Sequence, residues 1–337
     1  MIRIAVDGLG GDHAPDAVVA AVVEAARSGD AEYKLLGPVD QMRHCLEKHG
    51  GGGLDIELIE AGDKIEVSEN PALAIRRKKD STIVCGLNLV KQGLADAFIS
   101  AGSTGALMAG SLLILGRIPG VKRPAIPGVL TGLDGKPMVM LDLGANVEVD
   151  VENLVQFAVM GSAYAECVLS IQNPSIGLLN VGTEANKGNA VVKETFDQLR
   201  SSPLNFYGNI EAREFFRRPV DVVVCDGFSG NIALKSMEGL VEAVFTLLKQ
   251  EIAAGWREKL GAWMLKPALK KVSRRLDYRE TGGAPLLGIN GVCIKCHGSS
   301  NSLALRNGLD VAKQVVDSRL NSRIQQCFQK ENILEKA

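Results

Sequence analysis

Ala97-Phe-Ile-Ser-Ala-Gly-Ser-Thr-Gly-Ala106 decides how the chain is read. It opens on a short apolar run, turns on Gly102, and resumes in small residues suited to a helix start. The absence of charge continues to Gly116, a span long enough to cross a membrane if it were one helix. Ser100, Ser103, Thr104 and Ser111 interrupt it, with glycines at 102, 105 and 110. The stretch therefore predicts a buried strand, a glycine turn and a helix.

The same unit recurs on either side. Ile2-Arg-Ile-Ala-Val6 precedes an Ala/Val-rich helical pattern from Ala14 to Arg27. Tyr33-Lys-Leu-Leu36, a helix over Val39 to His49, and Ile56-Glu-Leu-Ile59 follow. Met138-Val-Met-Leu141, Ile176-Gly-Leu-Leu-Asn180 and Val220-Asp-Val-Val-Val-Cys225 are further strands closed by glycine turns. Strand-helix alternation predicts an α/β fold, a three-layer, Rossmann-like arrangement with a largely parallel sheet. The expectation is one catalytic unit over 1–337, with a helical excursion at 239–278. Ligands of such sheets bind beyond the carboxyl ends of the strands, so the active site is expected in a cleft formed by the glycine turns.

Six segments share the design of strand end, small residues and helix start. They are Asp7-Gly-Leu-Gly-Gly-Asp-His-Ala-Pro15, Ser100-Ala-Gly-Ser-Thr-Gly-Ala106, Asp142-Leu-Gly-Ala-Asn146, Asn180-Val-Gly-Thr-Glu-Ala-Asn-Lys-Gly188, Asp226-Gly-Phe-Ser-Gly-Asn231, and Gly282 to Gly288 with Lys295-Cys-His-Gly-Ser-Ser300. Glycine lets backbone amides approach an anion, and a helix N-terminus adds partial positive charge. Turns this rich in Ser, Thr, Asn and Lys point to a phosphate or acyl site. The third glycine of the dinucleotide fingerprint is missing after Gly8-Leu-Gly-Gly11, and no phosphate-loop motif ending in Gly-Lys-Ser/Thr occurs. NAD and ATP thus lack direct support, and neither a cofactor nor a metal is expected.

The four histidines are His13, His44, His49 and His297, and no catalytic triad is visible among them. His44 and His49 fall on a charged helix, whereas His297 is flanked by Lys295, Gly298, Ser299 and Ser300. Lys187 stands in a turn at a helix start, where a merely solubilising lysine would oppose the dipole. Cys293-Ile-Lys-Cys296-His297 spells a haem-attachment sequence, but a strand with two packed thiols is the expected reading. Seven scattered cysteines fit free thiols better than a disulfide frame.

Net charge is −1 and aromatics are 4% of the chain, which argues against nucleic acid as a partner. Met1-Ile-Arg-Ile-Ala-Val-Asp7 reaches acid and glycine too early for a secretory signal, so a cytoplasmic protein is expected. From Arg257 to Arg279 eight basic residues face two acidic ones. Leu260, Trp263, Met264 and Leu265 recur there at helical spacing, and Pro267 is expected to kink or divide the helix. Arg76-Arg-Lys-Lys79 reads as a solvated helix start.

Taken in order, the six motifs closely resemble those of the bacterial phosphate acyltransferases, the acyl-carrier-protein:phosphate acyltransferases of the PlsX type. The match covers nearly the whole chain. Ser103 replaces a common Asn, and Asp7-Gly-Leu-Gly-Gly11 replaces a common Asp-Ala-Met-Gly-Gly. The resemblance implies transfer of a fatty acyl group from acyl carrier protein to inorganic phosphate, giving acyl phosphate for phospholipid synthesis. A glycerol-3-phosphate acyltransferase that uses acyl phosphate would act downstream.

Such a reaction needs no strong base, because phosphate is already a usable nucleophile and a thiolate leaves readily. It needs two anions brought together and an oxyanion stabilised. Lys187 and His297 are expected to neutralise or orient phosphate, Asn231 and Asn146 to donate to carbonyl or phosphate, and Asp226 to orient a cation. Amides of Gly102, Ser103, Thr104, Gly105, Ser229 and Gly230 would complete the cradle, with Lys295, Ser299 and Ser300 at the substrate. The resemblance also implies a homodimer and peripheral membrane attachment through Leu260, Trp263, Met264 and Leu265. Carrier-protein docking and dimer packing are the other readings of that basic segment. The rival functions are a phosphotransacetylase-like enzyme using acyl-coenzyme A, a decarboxylating dehydrogenase of related architecture, and a non-catalytic membrane scaffold.

Overall fold

The computed structural model describes residues 1–253, 255–276 and 282–334. The chain divides into two compact units. Unit 1 comprises Met1–Pro127, Val159–Asn173 and Arg279–Ala337, and unit 2 comprises Gly128–Ala158 and Pro174–Tyr278. The reason is topological. The strand-helix rhythm builds two separate sheets, and alternation along a sequence does not reveal where one sheet ends and another begins.

In unit 1 the order of elements is β1 (Ile2–Asp7), α1 (Asp16–Ala26), β2 (Ala31–Gly37), α2 (Val39–Lys48), β3 (Ile56–Glu60), α3 (Pro71–Arg77), α4 (Thr82–Lys91), β4 (Ala97–Ser100) and α5 (Thr104–Gly110). A π turn over Ser111–Leu115 follows α5 and ends at Gly116, whose φ of +79° reverses the chain. The uncharged stretch is therefore strand, turn and helix, as its serines and glycines predict. No helix among the described residues is long and apolar enough to cross a membrane.

In unit 2 come β5 (Gly128–Thr131), β6 (Pro137–Leu141), α6 (Val151–Cys167, which continues into unit 1), β7 (Ile176–Leu179), α7 (Ala190–Ser201), β8 (Phe206–Ile210), β9 (Val222–Val224), α8 (Gly227–Ala253) and α9 (Trp256–Leu276). The chain then supplies β10 (Ala284–Pro285), β11 (Val292–Lys295), α10 (Ser302–Asp317) and α11 (Leu320–Leu334) to unit 1.

The six-stranded sheet of unit 1 runs β10-β11-β4-β1-β2-β3, parallel except for β10 against β11. Ile4, Ala5, Val6 and Asp7 are all buried, as are all four residues of β4. Continuous burial is what a parallel strand covered on both faces shows. The five-stranded sheet of unit 2 runs β5-β6-β9-β7-β8, parallel except for the β5-β6 pair. Its core includes Met138, Met140, Ile210, Phe215, Val223 and Cys225.

Two local expectations are corrected. Arg76 and Arg77 close α3 rather than start a helix, and Lys78 is drawn back to Glu69 Oε1 at 2.8 Å. Pro267 lies inside α9, which continues through it. The helical excursion also begins earlier than expected, because α8 grows directly out of the Asp226-Gly227 turn. Its predicted end at 277–278, the acidic Asp277 and the basic Arg279 fall outside the described residues.

Candidate functional site

In unit 1 the turns after β1, β4 and β11 lie at the carboxyl ends of three neighbouring parallel strands. This is also where the connections from β1 and β4 run to opposite sides, the place where open α/β sheets bind ligands. Asp7, 2% exposed, takes the Ser100 hydroxyl at 2.6 Å and the Leu9 N–H at 3.1 Å. Ser100 Oγ in turn accepts the Gly102 N–H at 3.0 Å. A Cβ on Gly10 would stand 2.5 Å from Asp7 Oδ2 and 2.7 Å from Gly102 N, so only glycine allows the first and second turns to touch. The third turn is tied in by the backbone, with Asp12 N–H donating to Gly298 O and Cys296 N–H to Ser100 O.

Lys295 ends β11 and donates its ammonium to the Cys296 carbonyl. Burial pulls it below the usual lysine value, while nearby Cys296, Asp7 and Asp12 pull it back up. His297 is exposed, with Ser299 Oγ 2.8 Å from its Nδ1 and the Ser299 N–H donating to the same nitrogen. Ser103 is buried and caps α5, whereas Thr104 is exposed. Gly105 is glycine for packing, since a Cβ there would meet Pro71 at 2.8 Å.

Unit 2 gathers the turns after β6, β9 and β7, again neighbouring parallel strands. Asp142 is fully buried and accepts three N–H groups, from Ala145, Asn146 and the Asn146 side chain, at 2.7–3.2 Å. Asn146 therefore points its amide inward at Asp142, and its carbonyl accepts the Gly227 N–H at 2.8 Å. A Cβ on Gly227 would come within 2.7 Å of Asp142 Oδ2, and one on Gly230 would overlap the Asp142 carbonyl oxygen. Asp226 is occupied by Ser229, taking its N–H at 2.7 Å and its hydroxyl at 2.8 Å. Asn231, one turn into α8, is exposed and faces Gly144. Lys187 is half exposed, with its ammonium 4.0 Å from Glu184. Its turn is pinned by Asn180, whose amide donates to the Lys187 carbonyl at 3.1 Å, and by Gly188 at φ +90°.

The six predicted turns thus sort into two sets of three, one on each unit. Several of these groups are engaged in hydrogen bonds within their own turns. The amides of Gly102, Ser229, Gly230 and Ser300 are committed to Ser100, Asp226 and the His297 carbonyl. Asp226 holds Ser229, and Asn146 braces Asp142. In α9 the side chains of Trp263, Met264 and Leu265 are exposed, while that of Leu260 lies outside the described residues. Cys293 and Cys296 are buried in β11 and its turn, pushed by desolvation to about 12, as the packed-thiol reading expects. Burial likewise raises Cys225 well above the ordinary thiol value.

A family model described as fatty acid synthesis protein matches residues 2–323. The chain belongs to that family. A phosphate acyltransferase of Desulfitobacterium hafniense (strain Y51) is 50% identical over 319 residues, covering 94% of this chain and 95% of that protein. One from Heliobacterium modesticaldum is 48% identical over 326 residues, covering 96% and 97%, and one from Bacillus cereus is 44% identical over 333, covering 98% and 100%. The resemblance carried by the six motifs is borne out, and this family member is an acyltransferase. Among solved structures, a phosphotransacetylase from Streptococcus pyogenes superposes with a TM-score of 0.57 at 19% identity, covering 96% of this chain and 93% of that one. A branched-chain phosphotransacylase from Enterococcus faecalis gives 0.55 at 13%, covering 93% and 99%. These two establish the α/β fold.

In this family member two positions carry more of the site than sequence reasoning assigned them. Asp7 and Asp142 organise their turns from beneath, and neither was given a role. The signal was present: each is an acid that ends an apolar strand immediately before a glycine turn, where an unpaired charge is too costly to bury.

Proposed function

We propose that the chain moves a fatty acyl group from acyl-acyl carrier protein to inorganic phosphate, releasing carrier protein and acyl phosphate for phospholipid synthesis. The observation that carries this reading is the likeness over nearly the whole chain to proteins named phosphate acyltransferase. Cys225, Cys293 and Cys296 are buried, and burial raises each above the ordinary thiol value, which does not suit a thiolate nucleophile. In this reading the attacking group is the substrate phosphate itself. Its oxygen adds to the thioester carbonyl, the carbon–sulfur bond breaks, and the thiolate leaves with the carrier.

The protein's work is to hold anions and stabilise the oxyanion. For this, unit 1 offers Lys295, His297 and the backbone amides at the start of α5 from Ser103 to Gly105, and unit 2 offers Lys187 and Asn231. Names of relatives as phosphate acyltransferases support the acceptor. We read 1–337 as one catalytic chain that works in the cytoplasm as a homodimer, feeding a glycerol-3-phosphate acyltransferase that consumes acyl phosphate. Exposed Trp263, Met264 and Leu265 beside exposed Lys266 and Lys271 support peripheral contact with an anionic lipid surface.

The test is acyl phosphate formation from palmitoyl-carrier protein, with and without inorganic phosphate, trapped as the hydroxamate. Phosphate-dependent product is expected. Product from acyl-coenzyme A alone would move the chain to a phosphotransacetylase-like reaction, and silence with both donors would leave a lipid-bound scaffold.

A further inference from the structure

The turn that carries Lys187 has no regular structure from Val181 to Gly188, and apart from Gly182 and Gly188 its residues are exposed. Packing therefore holds it less than hydrogen bonds do. Two asparagine side chains grip it: Asn180, which follows β7, and Asn209, the penultimate residue of the neighbouring strand β8. Asn180 donates its amide to the Lys187 carbonyl at 3.1 Å. Asn209 donates its Nδ2 to the Glu184 carbonyl at 2.9 Å, and that same carbonyl accepts the Lys187 N–H at 3.1 Å. The stem of Lys187 then runs over Gly182, where an added Cβ would stand 3.2 Å from Lys187 Cγ.

A bulge places Asn209 for this. Tyr207 is an extra residue of β8 against β7, since Ile176 pairs with Phe206 and Gly177 with Gly208, and Gly208 takes φ +128°. Bulges re-aim the side chains beside them. Asn209 is 3% exposed, and its Oδ1 meets no hydrogen-bond partner among the described residues. A buried unpaired acceptor costs stability, so an apolar side chain would serve folding better at this strand position. What asparagine supplies there is a donor, and it goes to a carbonyl that the Lys187 N–H already satisfies.

We propose that Asn209 is a positioning residue for Lys187: its side-chain amide, acting through the Glu184 carbonyl, fixes where the Lys187 main chain leaves its turn and so where the ammonium stands. The functional half rests on the acyl-transfer reading, which gives Lys187 its work on the anions. A long, half-exposed lysine on an irregular turn is otherwise free to swing. Charge aimed at a reacting group loses roughly a hundredfold in rate when it is misplaced by about 1 Å.

The experiment pairs hydrogen exchange with turnover in the full chain. In Asn209→Ala, exchange over 181–188 is expected to rise roughly five- to tenfold, as loss of one hydrogen bond implies, with β7, β8 and β9 exchanging as in wild type. Phosphate-dependent hydroxamate formation is expected to fall roughly tenfold. The same substitution made on Lys187→Ala is expected to cost nothing further, because residues that act as one unit do not add. Unchanged exchange over 181–188, or exchange that rises across the whole of unit 2, overturns the proposal whether or not acyl transfer proceeds. A full tenfold loss on top of Lys187→Ala overturns it too, since Asn209 would then act by another route. Faster exchange with unchanged turnover would overturn the functional half. The expected exchange in a protein that makes no acyl phosphate would keep Asn209 as the anchor of Lys187 and remove the acyl-transfer reading. Should Asn209→Ala not fold, Asn209→Val, suited to a buried strand, takes its place; failure of both to fold would make the residue structural and overturn the proposal.

Discussion

Ser100 and Asp7, 93 residues apart in sequence, meet through a 2.6 Å hydrogen bond at the buried ends of adjacent strands. The bond joins two glycine motifs that look independent when read along the chain. Ser100→Ala leaves the Asp7 carboxylate buried with one donor fewer and frees the Gly102 amide. A loss of about 1–3 kcal/mol in unfolding free energy is expected, read by denaturant titration. Ser100→Thr, which keeps the hydroxyl, should recover most of it. Equal stability of Ser100→Ala and wild type would remove the bond from the account of unit 1.

Gly230 sits where any side chain would overlap the Asp142 carbonyl oxygen. Both sides of that contact are backbone, so neither can swing away. Gly230→Ala is expected to cost about 3 kcal/mol or more, seen as a lowered melting temperature or loss of soluble protein. Gly239→Ala, on the same helix with no atom within 4 Å of the added methyl, is the matched control and should be neutral or slightly stabilising.

Lys187 separates function from stability. Its ion pair with Glu184 is long and half exposed, so Lys187→Ala should change stability by no more than about 0.5 kcal/mol. Turnover in the hydroxamate assay should fall by roughly a hundredfold or more if the ammonium faces developing charge. A folded variant with full turnover would take Lys187 out of the mechanism.

The buried thiols set an alkaline limit on stability. Cys293 and Cys296 stay protonated to about 12 when folded, against an ordinary value of 9.0. Between those values the unfolded chain loses protons that the folded chain keeps, so unfolding is favoured more as pH rises. Stability should decline from pH 9 upward, and the decline should be shallower in the Cys293→Ala, Cys296→Ala double variant. Iodoacetamide at pH 8 should leave both thiols unmodified in folded protein by mass spectrometry.

The apolar face of α9 can be tested without reference to turnover. Trp263→Glu with Leu265→Glu replaces exposed side chains and should leave stability nearly unchanged. Flotation with anionic vesicles is expected to drop sharply. Unchanged flotation would turn attention to the carrier protein or a second copy of the chain.

Much of this was legible in the residues. Strands such as Ala97–Ser100 fell where their apolar runs place them, and the cysteines of β11 and the turn after it packed inward as free thiols. The division into two sheets was not legible, because a β-α-β rhythm looks the same whether the next strand joins the old sheet or starts a new one. Nor were the roles of Asn146 and Asp226. Their motif positions are right for chemistry, yet their side chains answer to Asp142 and Ser229 a few residues away. Local acceptors and donors compete with substrate for the same groups, and one-dimensional spacing does not settle that competition.

Helix α8 has a geometric consequence. It starts at the turn that presents Asn231 and runs without interruption past Leu240, Val244 and Leu247, an exposed apolar stripe on its distal half. At about 1.5 Å per residue, Leu247 stands roughly 24 Å along the axis from Asn231. The helix is therefore a gauge of fixed length, and a surface that seats the stripe is held at a constant height from the turn that carries Asn231.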